Sequence, residues 1–411
     1  MEWLFQIRGI SDKAEITSES IYGPAFQAAL ALLTFILICC LAALLGYTVS
    51  SPPTLKGAGG RDYDALQGGR RSLQDYCTSK NIDIKTTPMV AFSVATANFG
   101  GIFTETQSLL QPWTGSVHSD AVRRQVEAGA RAVVFDIWPD PADSTKPVIC
   151  AMLDHREWAS QRWWIANGLS KGTGNYSNWR LMTRNTRPVG EVLSTAIQTA
   201  FGANPGNQNT DPFFIIMNLH GAMTTDYLDH LGRITQEALG GFAMAPEFSQ
   251  AQQQKALCTT PVAAFMNRAF VIVIPDIQSG YNSLPSINTY AAFVPALMKT
   301  RMGQITNAIQ TQPQQITFDI GNLSAISTAN QTNCLLGGPQ LTPAQAGFCL
   351  IQPTIGGSRN DNTAAYANTS WQNCLQSGAQ FVAVNLFSTD SVTDAFFDAT
   401  NFGQYSFKKG A

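Results

Sequence analysis

Four histidines are the residues of this chain that could exchange protons near neutral pH. They are His118, His155, His220 and His230. His155 lies in the motif Asp154-His155-Arg156, just after an apolar run, and His220 ends another such run. An imidazole at a strand end can act as a general acid or base, whereas a metal site needs further ligands that the sequence does not place. The alternatives are an ion-paired surface loop for His155, a helix start for His118 and a solvated helix face or C-terminal cap for His230.

Asp136 and Trp138 end a third apolar run, 131–138. A carboxylate at this place can bind a ligand or a cation, or it can accept hydrogen bonds from the amides of the following loop. Trp138 can pack at the rim of a barrel in either case. The sequence leaves two roles open for this pair, which are residual ligand binding and a purely structural role.

Short apolar runs alternate with stretches of helical spacing from residue 89 onward. The runs that predict strands are 89–95, 131–138, 147–153, 212–219, 269–277, 314–320 and 379–387. Helices are predicted over 119–129, 190–201 and 225–239. Strands that are apolar throughout indicate a parallel sheet covered on both faces. At roughly 320 residues the fold class is α/β, and a closed (β/α) barrel is expected. An open doubly wound sheet is the alternative, but no glycine-rich dinucleotide fingerprint supports it.

The composition limits the classes of partner. Hydrophobic residues make up 45% of the 411 residues and charged residues 13%, and the net charge is −2. The charged share is about half of the usual ~25%. Because no global basic field exists to attract nucleic acid, we predict no nucleic-acid partner.

One segment near the start predicts a membrane anchor. No charged residue occurs between Glu19 and Lys56, and 26–49 reads FQAALALLTFILICCLAALLGYTV. About 20 apolar helical residues cross a bilayer core, and no polar stripe interrupts this run. A buried core helix and a cleaved signal peptide are the alternatives. The predicted organisation is a tail over 1–23, a single transmembrane helix over 24–49, a Pro- and Gly-rich linker over 50–87 and the barrel domain over 88–411.

Cysteines and glycosylation motifs favour an extracellular, lumenal or particle-surface location for the part after the anchor. Six cysteines follow it, an even number that suggests disulfides with 15 possible pairings. They are Cys77, Cys150, Cys258, Cys334, Cys349 and Cys374. Four Asn-X-Ser/Thr sequons begin at Asn175, Asn322, Asn330 and Asn368. Lys and Arg are balanced across the anchor, so the positive-inside rule gives no orientation.

Four segments, in order, resemble the phosphatidylinositol-specific phospholipase C type phosphodiesterases. GARAVVFDIW at 129–138 resembles G-C-R-x-V-E-L-D-x-W, and PFFIIMNLH at 212–220 resembles P-V-I-L-S-L-E-N-H. GAQFVAVN at 378–385 resembles G-C-Q-x-V-A-L-N, and NFGQYSFK at 401–408 resembles N-x-x-G-Y-x-L-K. The resemblance implies a distorted TIM-type barrel with its site at the carboxyl ends of the strands.

In that family two histidines transfer protons, and in many members a Ca²⁺ held by Asn, Glu, Asp and Glu stabilises the phosphate charge. The resemblance places Ala97 and Ala151 at the two histidine positions, and Val134 and Asn218 at two of the carboxylate positions. Asn98 and Asp136 match the remaining metal ligands. The strand that carries substrate-binding lysines in the family corresponds to 271–276 and has no Lys.

These substitutions predict a catalytically silent relative. An alanine cannot carry a proton, and each positioned acid or base is worth about 10²–10⁴ in rate. We therefore expect a binding, scaffold or structural module, with the membrane as one partner and a protein of a surface assembly as another, and no cofactor. The alternative is an active phosphoric diester hydrolase that uses the displaced groups His155, His220 and Asp136 and requires Ca²⁺.

Overall fold

The computed structural model divides the chain into two compact units, Met1–Pro52 and Pro53–Ala411. It describes residues 28–40, 71–104, 115–154, 171, 177–202, 209–221, 224–244, 260–275, 291–292, 350–351, 380–388, 391–398 and 400–409.

In the first unit, residues 28–40 are helical and exposed throughout. Their large apolar side chains are 50–66% exposed, from Leu30 to Ile38. Thr34 covers its hydroxyl by donating to the carbonyl of Leu30 at 2.8 Å. Within the described ranges, no helix is both long and apolar enough to span a bilayer. The remainder of the predicted anchor, 24–27 and 41–49, lies outside those ranges.

Five helices are described in the second unit, and their ends follow from capping chemistry. They are α1 (Leu73–Ser79), α2 (Ser119–Glu127), α3 (Val189–Phe201), α4 (Thr225–Leu239) and α5 (Ser391–Phe396). Ser72 and Asp75 form a capping box at the start of α1. Thr224 caps α4, and Gly240, at φ 50°, ends it. His118 caps α2, because its Nδ1 accepts from the backbone N–H of Asp120 at 2.9 Å.

Fourteen strands are described in the second unit. They are β1 (Phe92–Ala97), β2 (Ile102–Thr104), β3 (Gly115–Val117), β4 (Ala132–Pro139), β5 (Pro147–Ile149), β6 (Met152–Asp154), β7 (Trp179–Leu181), β8 (Arg187–Pro188), β9 (Phe213–Leu219), β10 (Ala269–Pro275), β11 (Ala291–Ala292), β12 (Leu350–Ile351), β13 (Phe381–Val384) and β14 (Phe407–Lys409). Three short 3₁₀ turns lie at Met89–Ala91, Gly240–Phe242 and Val262–Ala264.

Seven strands form a parallel path in the order β11, β10, β9, β4, β1, β13, β12. Asp136 of β4 stands directly opposite Asn218 of β9 in this register. The first long strand, β1, pairs with β13 near the chain end as well as with β4. At its amino half β1 also pairs, antiparallel, with β14. The mixed α/β fold agrees with the prediction, whereas no pairing among the described strands closes the sheet into a barrel.

The two faces of the sheet pack into two separate cores. One, the helix-side core, contains Ala95, Ala97, Val133 and Phe135 together with buried residues of α2, α3 and α4. The other, the second core, contains Val94, Ala132, Val134 and Ile216 together with Leu73, Tyr76 and Cys77 of α1. Alternate residues of each strand therefore enter different cores, as the period-two geometry of strands requires.

Two expectations differ from the structure. Helix α1 lies inside the segment predicted as a linker, because Leu73, Tyr76 and Cys77 supply an apolar stripe at helical spacing that buries in the second core. Cys77 and Cys150 are buried free thiols, so the predicted disulfides do not involve them. The other four cysteines after the anchor, the four sequon asparagines and the run 314–320 lie outside the described residues.

Candidate functional site

The centre of the candidate site is the Asp136 carboxylate at the carboxyl end of β4. The side-chain amide of Asn218 donates to its Oδ1 at 3.1 Å. His220 Nε2 lies 3.0 Å from the same oxygen. Only 5% of the Asp136 side chain and 10% of the His220 side chain are exposed. Parallel pairing of β4 with β9 places the three groups together, because both strands end at the same edge of the sheet.

Two tryptophans extend this polar cluster. The Trp138 ring stacks on His220 with a centroid separation of 4.3 Å and an interplanar angle of 12°. Trp179 lies against Trp138, with ring centroids 5.2 Å apart. Trp138 is buried and Trp179 is half-buried. The stack fixes the His220 ring plane, so the imidazole keeps its edge toward Asp136.

The loop that follows β1 approaches the site from the neighbouring strand. Phe99 has φ 55° and Gly101 has φ 79°, so the chain turns sharply after Asn98. Gln125 of α2 holds this turn: its Nε2 donates to the carbonyls of Asn98 (3.0 Å) and Phe99 (3.2 Å), and its Oε1 accepts from the N–H of Gly101 (3.3 Å). Gln125 is fully buried, so these bonds are shielded from water.

Asn98 is 2% exposed. Its side-chain nitrogen makes no hydrogen bond to any atom of the described chain. Burial of an amide without a partner costs about 1–3 kcal/mol. Such a group therefore marks a place where a ligand or an ordered water can bind.

Ala97 does not face the cluster. Its side chain lies in the helix-side core with Ala95, whereas Val94 and Phe92 lie in the second core. Strand alternation then puts Thr96 and Asn98 on the face that carries Val134 and Asp136. The backbone N–H of Asn98 bonds to the carbonyl of Val384, so the strand geometry continues to Asn98. The first strand thus presents a hydroxyl and an amide toward the site instead of the Ala97 methyl group.

Val134 and Ala151 are both fully buried. Val134 belongs to the second core, two residues below Asp136 on the same face. Ala151 belongs to the helix-side core, and its carbonyl accepts from the N–H of Met182 at 2.8 Å. Both side chains therefore pack in apolar cores, and neither can transfer a proton or bind a cation.

The charge of Asp136 acts on the Cys150 thiol, which is next to Ala151 in the chain. Burial, and then the charges of Asp136 and Asp140, raise the pKa of the adjacent Cys150 thiol well above its ordinary value. Cys150 is therefore neutral in the folded protein at physiological pH. Its chemistry here is that of a small apolar side chain.

Neither His118 nor His230 is among the described contacts of this cluster. His155 lies outside the described residues. His118 caps α2, and His230 is half-buried on α4. Among the residues that the structure describes, no three His, Cys, Asp or Glu side chains are grouped so that they could hold a metal ion.

Sequence reasoning missed Gln125, although it organises the loop next to Asp136. A glutamine within a helix gives no local signal of this role, since its partners lie 24–27 residues away. A signal did exist in Asn98-Phe99-Gly100-Gly101, where two glycines follow a strand end and indicate a sharp turn.

Comparison with solved structures finds phospholipases C. The match to L. pealei PLC21 has 10% identity and a TM-score of 0.45, and it covers 75% of this chain and 35% of that protein. A calcium-dependent phosphoinositol-specific phospholipase C from a Pseudomonas species matches at 10% identity and TM-score 0.40, over 80% of this chain and 97% of that one. A Ca²⁺-dependent phosphatidylinositol-specific enzyme of Streptomyces antibioticus matches at 11% identity and TM-score 0.42, over 73% and 95%.

This chain therefore spans about a third of the length of the PLC21 protein that it matches. No protein-family model matches the sequence, and no curated protein matches it either.

Proposed function

We propose that this chain is a phospholipase-C-like barrel domain that binds a ligand at the carboxyl ends of its strands and does not hydrolyse phosphodiesters. We further propose that residues 24–49 anchor it in a membrane. The ordered set of four motifs between residues 129 and 408 supports the phospholipase-C-like part of this proposal.

The strand order supports a closed barrel. Along the path the chain proceeds from β1 through β4, β9 and β10 to β11, and it returns through β12 and β13 to the other side of β1. First and last parallel strands that are neighbours are typical of a (β/α) barrel. Closure would require only that the chain between β11 and β12 completes the wall.

The proposal of a silent site depends on one observation above all, the double engagement of Asp136 Oδ1 by Asn218 and His220. A Ca²⁺ ion takes 6–8 oxygen ligands, and its affinity rises with the number of charged ones. Asn218 is uncharged and directs an N–H, not an oxygen, at Asp136. Val134 supplies no oxygen. The Asp136 carboxylate is therefore already bound by side chains of its own protein.

A shift of the motif alignment by one residue restores no proton carrier. Thr96 and Asn98 flank Ala97, and neither side chain ionises in the physiological range. Cys150 and Met152 flank Ala151, and the raised pKa of Cys150 leaves it a neutral thiol. A shift of one residue therefore restores neither acid–base group, whereas a gap of four residues would bring His155 to the position of Ala151.

Membrane anchoring is supported by the exposed apolar helix over 28–40 and by the length of the uncharged run around it. Exposed Leu, Ile and Phe side chains on all sides of a helix are unfavourable in water, so lipid is the environment that suits them. We propose that the barrel lies on the extracellular, lumenal or particle-surface side and carries glycans at Asn175, Asn322, Asn330 or Asn368.

A second function is favoured by the Asp136–His220 contact. A carboxylate 3.0 Å from an imidazole can orient it as a general base. In this alternative the chain is an active phosphoric diester hydrolase, His220 and His155 carry the protons, and Ca²⁺ binds near Asn98 and Asp136.

Hydrolysis assays on the full chain in detergent separate the two proposals. The substrates are phosphatidylinositol and a glycerophosphodiester, each with Ca²⁺ and with a chelator. We expect no turnover above the background without protein. Turnover that is lost in His155→Ala or His220→Ala, but kept in the control His230→Ala, would establish the hydrolase instead.

A further inference from the structure

We propose that a basic surface at the amino end of the sheet binds a sulfated polysaccharide. This basic surface consists of residues 71–87 and 404–409. Its strand β14 pairs with the amino half of β1, whereas the Asp136 cluster lies at the carboxyl ends of β4 and β9. The inference goes beyond the proposed function of that cluster, and it uses the proposed extracellular location only in the choice of polyanion.

Hydrogen bonds join the two segments of the basic surface. The backbone N–H of Arg71 donates to the carbonyl of Gln404 at 3.0 Å, and the Arg71 guanidinium donates to the Tyr405 hydroxyl at 3.3 Å. The backbone N–H of Lys409 donates to the Tyr76 hydroxyl at 3.0 Å. The rings of Tyr76 and Tyr405 are in edge contact, with centroids 5.1 Å apart. Helix α1 and the segment 404–409 are therefore held side by side.

The turn after α1 keeps two further cations beside this junction. The N–H of Ile82 donates to the carbonyl of Cys77 at 2.8 Å, so the chain folds back on α1. Lys80 and Lys85 flank Ile82 in the chain, and both are exposed. Burial is the main cause that raises the pKa of the Cys77 thiol, whereas the charge of Lys409 lowers it, which places that charge near the same helix.

The basic surface carries five cations and two carboxylates, a net charge of +3, while the net charge of the whole chain is −2. The cations are Arg71, Lys80, Lys85, Lys408 and Lys409, and the carboxylates are Asp75 and Asp83. The cations are exposed, except for Lys408, which is half-buried. Positive charge is therefore concentrated here in a chain that is negative as a whole.

The two carboxylates already have partners in their own turns. Asp75 Oδ2 accepts from the N–H and the hydroxyl of Ser72, at 3.1 Å and 2.9 Å. Asp83 accepts from the N–H of Lys85 at 2.9 Å and from the hydroxyl of Thr86 at 3.0 Å. Both carboxylates are therefore bound by backbone and hydroxyl donors.

In the part of the chain that the structure describes, none of the five cations forms an ion pair. Cations on other surfaces do: Arg123 and Arg124 pair with Asp120, and Lys146 pairs with Asp143. A group of unpaired cations creates a positive local field that attracts a polyanion.

The surroundings favour a sulfated polysaccharide over other polyanions. Large exposed apolar side chains of the described residues all belong to the helix over 28–40, so the basic surface has none to insert into lipid. Single-stranded nucleic acid is bound by aromatic rings that stack on bases, and the two tyrosines of this surface pack on each other. Exposed amides of Gln74, Asn81 and Gln404 accompany the cations and can donate to sulfate and hydroxyl oxygens. Lys and Arg clusters of this kind bind heparin.

Calorimetric titration of the full chain in an uncharged detergent tests this inference. The probes are a heparin octasaccharide and the same octasaccharide without its sulfate groups. We expect only the sulfated form to bind, with an affinity that falls as NaCl is added, because salt screens exposed charges. No binding of the sulfated form at low salt, or equal binding of the two forms, would overturn the inference.

Charge reversal then locates the surface. We expect Lys85→Glu combined with Lys409→Glu to weaken octasaccharide binding by about 10- to 100-fold, because two attractions become repulsions. The matched control is Lys171→Glu combined with Arg233→Glu, which makes the same change at two exposed cations outside the basic surface. The control should bind nearly as well as the unmodified chain, and equal losses in the two double variants would contradict the assignment.

Neutral substitutions guard against a folding defect. Lys85→Gln combined with Lys409→Gln removes the two charges without repulsion, and we expect a smaller loss of affinity than for the reversal. Circular dichroism reports whether each variant keeps its fold. The preference of the unmodified chain for the sulfated octasaccharide is a test that needs no variant.

An anionic lipid surface is the competing partner. Hydrogen exchange of the amides of 71–87 can be followed in the full chain in phosphatidylcholine nanodiscs, with and without phosphatidylserine. We expect equal exchange in both. Protection that requires phosphatidylserine would assign the basic surface to lipid and would overturn the inference.

Failure of this inference is distinguishable from failure of the proposed function. A chain that binds no sulfated octasaccharide and hydrolyses no phosphodiester overturns the polysaccharide assignment alone. A chain that hydrolyses phosphodiesters overturns the proposed function and leaves the basic surface unaffected.

Discussion

At the scale of single residues, Asp136 is held by partners from its own protein. The Asn218 amide and the His220 imidazole both contact Oδ1, and Trp138 stacks on the imidazole. A buried carboxylate needs such partners, since the loss of one leaves part of its desolvation uncompensated. We therefore expect His220 to stabilise the fold, whatever ligand binds.

Replacement of His220 by alanine tests this role. We expect His220→Ala to lower the free energy of unfolding by about 1–3 kcal/mol, because Asp136 loses a partner while it stays buried. In an Asp136→Asn background the same change should cost less, since no charge is left without its partner. Urea unfolding followed by circular dichroism measures both values.

The matched control is His230→Ala on α4, which should stay within about 0.5 kcal/mol of the unmodified chain. Equal losses for His220→Ala and His230→Ala would contradict the role given to the Asp136–His220 contact.

Cys77 gives a prediction of pH dependence. Burial, and then the Asp211 carboxylate, raise the pKa of its thiol to about 11, whereas Lys409 lowers it. An unfolded chain ionises this thiol near pH 8.5. The unfolded state therefore binds fewer protons than the folded state above that pH, and stability falls as the pH rises from about 8.5 to about 11.

Urea unfolding at several pH values in this range, with Cys77→Ala as the comparison, measures the contribution. The variant should lose less stability per pH unit than the unmodified chain. Identical slopes would show that Cys77 ionises equally in both states.

At the scale of elements, the loop after β1 depends on close contact with β4. We expect Gly100→Ala to cost about 1–3 kcal/mol, because the new methyl group overlaps Phe135 and Val133. Gly241→Ala is the matched control, since a Cβ there meets nothing within 4 Å. Thermal unfolding of the two variants compares them, and a Gly100→Ala protein as stable as Gly241→Ala would contradict the described packing.

Strand β14 is the second element with a testable role. It pairs with the amino half of β1, and Phe407 is buried in the second core beside α1. Phe407→Ala should therefore lower the free energy of unfolding by about 3–5 kcal/mol. Lys409→Ala, at an exposed position of the same strand, should change it by no more than about 0.5 kcal/mol in the same urea titration. If Phe407→Ala lowered the free energy of unfolding no more than Lys409→Ala does, Phe407 would not contribute to the second core.

Continuous apolar runs predicted the parallel strands well, because a sheet covered on both faces buries every residue of each strand. β4, β9 and β10 begin and end within two residues of the runs that predicted them. The same burial hides which face of the sheet each side chain occupies. Ala95, Thr96, Ala97 and Asn98 show no apolar–polar alternation, so the sequence could not tell that Ala97 points away from Asp136. The geometry of the Asp136–His220 contact could not be predicted from the sequence, because the two residues are 84 positions apart in the chain.

At the scale of the whole molecule, the proposed membrane anchor over 24–49 can be tested by extraction. We expect the full chain to remain with membranes after alkaline carbonate extraction, and a chain without 24–49 to be released. The reason is that 26–49 contains no charge and is long enough to cross a bilayer core. Immunoblotting of pellet and supernatant reads the outcome, and release of the full chain would contradict the anchor.

We propose above that this chain keeps a phospholipase-C-like fold without the acid–base groups of the enzymes. The most direct test is the release of inositol phosphate from phosphatidylinositol micelles by the purified full chain with saturating Ca²⁺. We expect product to form no faster than in micelles without protein. Sustained turnover that disappears on chelation of Ca²⁺ and in His220→Ala would contradict it.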